Sequence, residues 1–325
     1  MPVPSERIAN LQTKIWSGSL PLEIRLAAAD CRTYDQSEPY LIQYPRLSYL
    51  AFLLPRLYSF FATSLIDPGI PAHEAWLSFE DVPLKWNHAA GLLYDLYSGA
   101  DPVNAERPGA IESSTLHSQI SSTGSSGPLP WRLIIHYSDF PHDQLIQLDL
   151  EGRTILDVFI NAVKEADFIR NGTARTVMSL SKEDSDMLWL AVRTHDRTLF
   201  NSINTKLLNP PGLELRHVPI KVYLPTSASQ SASDTIPEET TMATAGHMRV
   251  VQFLAPLLLP SKQPQTLGTA LNTALPTIFP SRRNPLLAQP VLHGAAVPMG
   301  ANLEELGRAV AYTDGFLHVA VVMLG

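Results

Sequence analysis

Cysteine is nearly missing: Cys31 is the single thiol in 325 residues. That excludes an internal disulfide and a Cys-rich zinc site. Between Asp30 and Arg32, it reads as a small filler residue rather than an activated nucleophile. Charge is scarce too, at 17% of residues against about 25% in ordinary globular chains. The basic excess that nucleic-acid phosphates call for is absent, since 24 Lys and Arg against 31 Asp and Glu leave a net charge of −7. No nucleic-acid partner is expected. No apolar run is long enough to span a bilayer, because Pro55 and Arg56 break the most apolar stretch, residues 49–66. The opening segment carries Glu6, Arg7 and Lys14 and lacks the apolar centre of an export signal. The expected location is therefore cytoplasmic, with any membrane contact peripheral.

Signatures of catalysis are also wanting. Gly-x-Ser-x-Gly, His-Glu-x-x-His and Gly-x-Gly-x-x-Gly do not occur. Ten histidines are scattered without metal-ligand spacing. His195-Asp196 and His136 with Asp139 read as surface or capping groups. Asn171-Gly172-Thr173 matches a glycosylation acceptor, which a cytoplasmic chain would not use. Glu238-Glu239 and Glu304-Glu305 read as solvated faces. The Ser/Gly run 121–127 lacks the Gly-Lys-Ser/Thr ending of a phosphate loop. The chain is expected not to be an enzyme by itself, with no catalytic residue, no cofactor and no metal.

What is present is a core and many turns: 45% apolar residues and 27 prolines. Ile8, Leu11 and Ile15 mark a first helix, capped by Ser5 and stopped at Gly18. Leu22, Ile24 and Leu26 alternate as a strand, with Tyr40–Tyr44 as its hairpin partner. A helix follows from Ser48 to Phe61, kinked or started by Pro55. Then come short strands at 76–79 and 83–86, a helix at 91–96 and a strand at 131–137. The intervening 100–130, rich in Ser, Gly and Pro, reads as a mobile insertion.

The middle third is helical. Thr154 with Asp157 resembles a capping box, Ile155 to Ile169 recur on one face, and Gly172 sits at a helix-stop position. Ser181 with Asp184 repeats the start signal ahead of Leu188 to Leu207. The last third returns to strands at 217–224, 248–254, 291–297 and 316–324, with helices after Thr266 and at 303–310 and a flexible insertion at 226–246. Both outer thirds run strand, strand, helix, short strand, short helix, strand, which is the order of a ubiquitin-like β-grasp fold. The expected class is α+β. An N-terminal helix (1–18) precedes a first ubiquitin-like domain (19–141), a helix-rich domain (142–212) and a second ubiquitin-like domain (213–325).

One lysine stands apart. On a helix, Lys164 has Ile160 and Phe168 one turn to either side, with Asn161, Glu165 and Asp167 at its borders. It reads either as a surface lysine laying its stem on apolar area or as an acceptor amine for covalent attachment. Apolar surroundings favour the neutral amine and nearby carboxylates the charged one, so spacing leaves both readings open.

Several separated blocks resemble the autophagy protein 5 family. They are Ile15-Trp16-Ser17-Gly18 with Leu20-Pro21-Leu22; Pro39-Tyr40 with Pro45-Arg46-Leu47-Ser48-Tyr49-Leu50; Val82 to Trp86 leading to Gly91-Leu92-Leu93-Tyr94-Asp95; Val163 to Gly172 with Val177 to Ser181; Arg216 to Ile220; and Asp314-Gly315-Phe316-Leu317-His318. The resemblance implies two ubiquitin-like domains flanking a helix-rich one. It implies an isopeptide bond between the ubiquitin-like autophagy protein 12 and Lys164, installed by an activating and a conjugating enzyme. It further implies binding to the N-terminal helix of autophagy protein 16 and, as that complex, ligase-like transfer of autophagy protein 8 to phosphatidylethanolamine. The family's setting is the preautophagosomal membrane, held peripherally. Trp16, Arg46 and Gly91 lie in shared blocks near the groove expected for the partner helix. Asn87-His88-Ala89-Ala90 departs from the family's usual Tyr-Pro before the glycine, and the end at Gly325 lacks a Gly-Gly tail, as an acceptor rather than a modifier would. The alternative is a ubiquitin-like interaction module that is never conjugated.

Overall fold

The structure, a computed structural model, describes residues 5–33, 37–97, 129–208, 215–225 and 248–324. The insertions expected at 100–130 and 226–246, the Ser/Gly run and Glu238-Glu239 fall largely or wholly outside these. Helix α1 (Ser5–Trp16) leads into β1 (Ser19–Leu26), β2 (Tyr40–Pro45), α2 (Leu54–Phe61), β3 (Trp76–Phe79), β4 (Val82–Pro83), α3 (Ala90–Tyr97) and β5 (Trp131–His136). These strands form one sheet in the order β2-β1-β5-β3-β4. The outer hairpin β1–β2 is antiparallel, while β1 and β5 are parallel neighbours, with Ile24 opposite Leu133. Alternation places Leu20, Leu22, Ile24 and Leu26 on one face, where they meet Leu54, Leu57 and Phe61 of α2. Pro55 starts α2 rather than kinking it: it occupies the first helical turn, where its missing N–H leaves nothing unpaired. Glu80 and Asp81 both take left-handed φ values, 47° and 63°. They make the tight turn that pairs β3 with β4, a strand of two residues, shorter than the alternation at 83–86 suggests.

The helical middle comprises α4 (Arg153–Asn171), α5 (Arg175–Met178), α6 (Lys182–Thr194) and α7 (Arg197–Leu208). The start of α4 differs from the expected Thr154–Asp157 box. The Asp149 carboxylate reaches the first two N–H groups of the helix, accepting from Arg153 N at 2.8 Å and Thr154 N at 2.6 Å. Gly152, at φ 71°, supplies the left-handed bend that brings Asp149 there. Ser181 does cap α6, accepting from Asp184 N at 3.0 Å. Gly172, at φ 75°, ends α4 as expected, its N–H donating to Phe168 O.

The last unit is β6 (His217–Pro225), β7 (Met248–Pro256), α8 (Leu267–Ala274), β8 (Ala288–Leu292), β9 (Ala295–Ala296), α9 (Leu303–Ala309) and β10 (Leu317–Met323). Its sheet order, β7-β6-β10-β8-β9, repeats that of the first sheet, again with first and last strands parallel. Residues 291–297 are a hairpin, not one strand, because His293 and Gly294 take φ 52° and 79° at its tip. Val218, Ile220 and Val222 pack on Leu267 and Leu271 of α8. The opposite face of β6 is covered as well: Tyr223 is buried against the first domain, and Lys221 lies against α4 and the Phe316 ring. Alternation predicts one wet face for β6; packing between domains dries both. Helix α1 ties the ends together. Ile8, Leu11 and Ile15 pack on the core of the second sheet, and Gln12 Nε2 donates to Arg308 O at 2.9 Å.

Candidate functional site

Lys164 sits on the one stripe of α4 that the fold leaves open. Ile155, Phe159 and Val163 point into the bundle core with Leu188, Val192 and Ile203, while Ala166 and Ile169 pack on Phe316. Lys164 lies between these faces and is exposed, with Ile160 half-buried and Phe168 59% exposed beside it. The bordering carboxylates are engaged elsewhere. Glu165 accepts from Lys221 Nζ at 3.0 Å and Gln252 Nε2 at 2.9 Å. Asp167, buried, accepts from Asn171 Nδ2 at 2.7 Å and Val177 N at 3.0 Å. Burial works to raise the Glu165 carboxyl, but Gln252 and Lys221 outweigh it and hold it below its ordinary value. Among the described residues no hydrogen bond or ion pair holds the Lys164 ammonium. The helix beneath it is fixed at both ends, by Asp149 at the start and by Arg170, whose Nη2 donates to Gly315 O at 3.0 Å. A free amine on a pinned helix, beside exposed apolar area, can be presented to a second protein.

Trp16, Arg46 and Gly91 occupy two different settings. Trp16 lies where α1 meets the bundle. Its ring stacks on His195 (4.7 Å, 17°) and tilts against Phe200, its Nε1 donates to His195 O at 3.1 Å, and His195 Nε2 contacts Trp16 O at 2.8 Å. Beside it opens a cleft of about 530 Å³ lined by Gly18, Pro45, Thr194, His195 and Asp196. Asp196 caps α7, accepting from Leu199 N, so the His195-Asp196 pair is structural, as its sequence reading expects. His136 is likewise spent on stacking with Trp76 and on Ser78 Oγ at 2.8 Å. Cys31 is half-buried near Thr33 Oγ1. Glu304 pairs with Arg308 one turn on, and Glu305 N donates to the Asn302 cap.

Arg46 and Gly91 face inward, against each other. Gly91 N donates to Arg46 O at 2.7 Å, and Arg46 Nη2 donates to Gly91 O and to the Asp95 carboxylate. Asp95 Oδ2 in turn accepts from Gly294 N of the second domain at 2.7 Å. The pair is therefore a clasp between the two ubiquitin-like domains. A methyl group at position 91 would stand 2.7 Å from Arg46 Cβ and 2.9 Å from its carbonyl oxygen. Gly91→Ala is expected to destabilise the chain by about 1–3 kcal/mol through overpacking. Urea denaturation checks this, and an unchanged midpoint contradicts it.

Asp95 and Gly294 join a wider polar seam that has no local sequence signal. Tyr223 Oη meets His318 Nδ1 at 2.8 Å, and His318 Nε2 meets Asp314 Oδ2 at 2.7 Å. The His88 ring stands edge-on to Tyr223, and His293 stacks on Tyr312 while its Nε2 contacts Val310 O. Burial, with His318 nearby, pushes His88 down to about 3; burial also pushes His293 down to about 4. Burial tends to raise Asp314, but His318 and the Phe316 amide hold it below its ordinary value. Burial pushes Asp95 up, against the pull of Arg46.

The sign follows directly. A histidine depressed in the folded state takes up protons only on unfolding, so stability falls as pH drops below about 6.5. Asp314 acts in the same sense and Asp95 in the opposite one. Both histidines are half-buried residues rather than fully buried ones, and the expected loss between pH 7 and pH 5 is about 2 kcal/mol in total. Thermal melts across this range check it. A flat profile, or one restored by no His88→Phe or His293→Phe substitution, overturns the assignment.

Two β-grasp sheets of one strand order, clasped over a helical bundle that bears an open lysine, define a double ubiquitin-like protein. Comparison with known proteins agrees domain by domain. Residues 15–137 match the family described as "Autophagy protein ATG5, UblA domain", residues 152–210 its alpha-helical bundle region, and residues 217–321 its UblB domain. The chain is 54% identical to Autophagy protein 5 of Phaeosphaeria nodorum, over 98% of this chain and 99% of that one. It is 48% identical to Autophagy protein 5 of Aspergillus oryzae, over 97% and 98%. The chain belongs to the autophagy protein 5 family. The crystal structure of Kluyveromyces marxianus Atg5 shares the fold, with a TM-score of 0.68 at 20% identity over 96% of this chain and 98% of that one.

Proposed function

We propose that the chain is the acceptor of a ubiquitin-like conjugation in autophagy. Its partner is the ubiquitin-like autophagy protein 12, joined by an isopeptide bond to Lys164. The observation that carries this reading is the exposed, unpaired Lys164 amine on the pinned helix α4. The deprotonated amine attacks the glycyl thioester carried by the conjugating enzyme. The C–N bond forms, the C–S bond breaks, and the thiolate leaves with the proton passing to it or to water. The activating enzyme supplies the thioester beforehand. The chain contributes no catalytic residue, cofactor or metal to this step; it contributes a positioned nucleophile.

The conjugate then binds the N-terminal helix of autophagy protein 16. The cleft beside Trp16 suits a helix laid into a groove, and Arg46 and Gly91 support that region from behind by holding the domain seam. The assembly promotes ligase-like transfer of autophagy protein 8 to phosphatidylethanolamine. It works in the cytoplasm and, peripherally, at the preautophagosomal membrane. Among the described residues no helix is long and apolar enough to cross a membrane, and surface attachment is the mode this reading needs. Tethering two modules through one bond raises the effective concentration of each for their common partner.

The test is reconstitution with the activating and conjugating enzymes and the modifier. One mass shift is expected, with the glycyl remnant on Lys164 in peptide mapping. A remnant on another lysine moves the site. No product at all favours the module that is never conjugated.

A further inference from the structure

Charge in the second ubiquitin-like domain is unevenly placed. From Thr240 to Leu303 there is no Asp or Glu, in a chain of net charge −7, while Arg249, Lys262, Arg282 and Arg283 all fall there. Two of these cations occupy the loop between α8 and β8. That loop is folded tightly, with Arg283 N and Asn284 N donating to Ser281 Oγ at 3.3 and 3.2 Å. Arg282 is steadied by Nε donating to Asn272 Oδ1 at 2.9 Å, and both arginines are exposed.

The same loop then displays Leu286 and Leu287, 59% and 46% exposed. The end of β10 lies alongside: Met323 pairs with Ala288, and Leu324 N donates to Leu287 O at 2.9 Å. Met323 and Leu324 are 53% and 40% exposed. Four flexible aliphatic side chains thus share one corner with two arginines, and the stretch that supplies both arginines, Leu286 and Leu287 holds no Asp or Glu. Protein-binding hot spots favour aromatic anchors beside arginine, and none stands in this group. Aliphatic chains flanked by cations are what an anionic lipid interface accepts: the apolar ends enter the headgroup boundary and the guanidinium groups meet phosphate.

We propose that this corner, formed by Arg282, Arg283, Leu286, Leu287, Met323 and Leu324, is the surface by which the protein rests on anionic lipid. The proposal deepens the peripheral-membrane reading above and rests on it.

Flotation of the full chain with phosphatidylcholine–phosphatidylserine vesicles, against pure phosphatidylcholine, tests both. The wild type is expected to float with the anionic vesicles and to be released by salt. Arg282→Glu with Arg283→Glu should lower binding by roughly tenfold or more, since each basic residue near an anionic surface contributes about fivefold. Leu286→Ser with Leu287→Ser should lower it about tenfold on both lipids. Leu41→Ser, at a still more exposed leucine on the edge strand of the first sheet, should change nothing. Melting temperatures of all variants establish that they are folded. If the folded variants float like the wild type, the corner is wrong and the peripheral reading stands. A wild type that never floats refutes both. Light scattering showing a wild-type dimer that the leucine variants split would make this face a contact between copies instead, and would overturn the proposal.

Discussion

Lys164→Arg will leave the chain folded and unconjugated. Arginine preserves the charge and the stem on the exposed stripe of α4, so stability should move by less than about 0.5 kcal/mol. Its guanidinium, with a pKa above about 12, never offers a free electron pair near neutral pH. Two lysines of the later chain are poor substitutes. Lys206 is bound to Asp184 at 2.8 Å, and Lys221 is held by Glu165 and by the face of Phe316, 3.9 Å away. Conjugate yield should fall at least about a hundredfold, because a misplaced amine forfeits the effective concentration that alignment provides. A denaturing gel reads the result. Full conjugation of the arginine variant would show that the acceptor lies elsewhere and would remove the main support for the functional reading.

Asp95→Ala will cost the chain about 3–5 kcal/mol, the usual penalty for deleting one partner of a buried ion pair. The Asp95 side chain is 1% exposed and that of Arg46 11%. Removing the carboxylate leaves the guanidinium with the Gly91 carbonyl and the Tyr94 ring at 5.7 Å. It also strips Gly294 N of its acceptor across the seam. The pair itself is no strong source of stability, since burial already disfavours the charged carboxyl. Replacing both partners, Asp95→Leu with Arg46→Met, should therefore restore much of the loss. Urea denaturation of the four-member cycle measures the coupling. A single-variant loss under about 1 kcal/mol, or strict additivity, would mean that the clasp does not hold the domains.

Much of this architecture was legible in local chemistry. Leu22, Ile24 and Leu26 alternate because one face of β1 is core, and Pro55, Gly172, Ser181 and Thr266 punctuate helices for reasons internal to a few residues. Short-range reading went astray where a distant group intervened. Asp149 displaced Thr154 as the cap of α4, and the second face of β6 was dried by another domain. The site divides in the same way. Helical spacing sets Lys164 between Ile160 and Phe168, but the exposure and freedom of its amine came only with the fold. The freedom rests on Asp167, one turn on, being taken by Asn171 and the Val177 amide, with Glu165 held by the distant Lys221 and Gln252. Arg46 and Gly91 could be singled out from their blocks. Their role as a clasp required Gly294, which nothing in their neighbourhood announces.

The clasp also bears on how the chain is made. Asp95 and the amide it binds are 199 positions apart. A ribosome elongating at about 5–20 residues per second needs roughly 10–40 s to cover that distance. Throughout that interval the nascent first domain carries an ungreeted carboxylate and a bare His88 edge. Nascent-chain capture should therefore find chaperones on this protein until the last third has emerged.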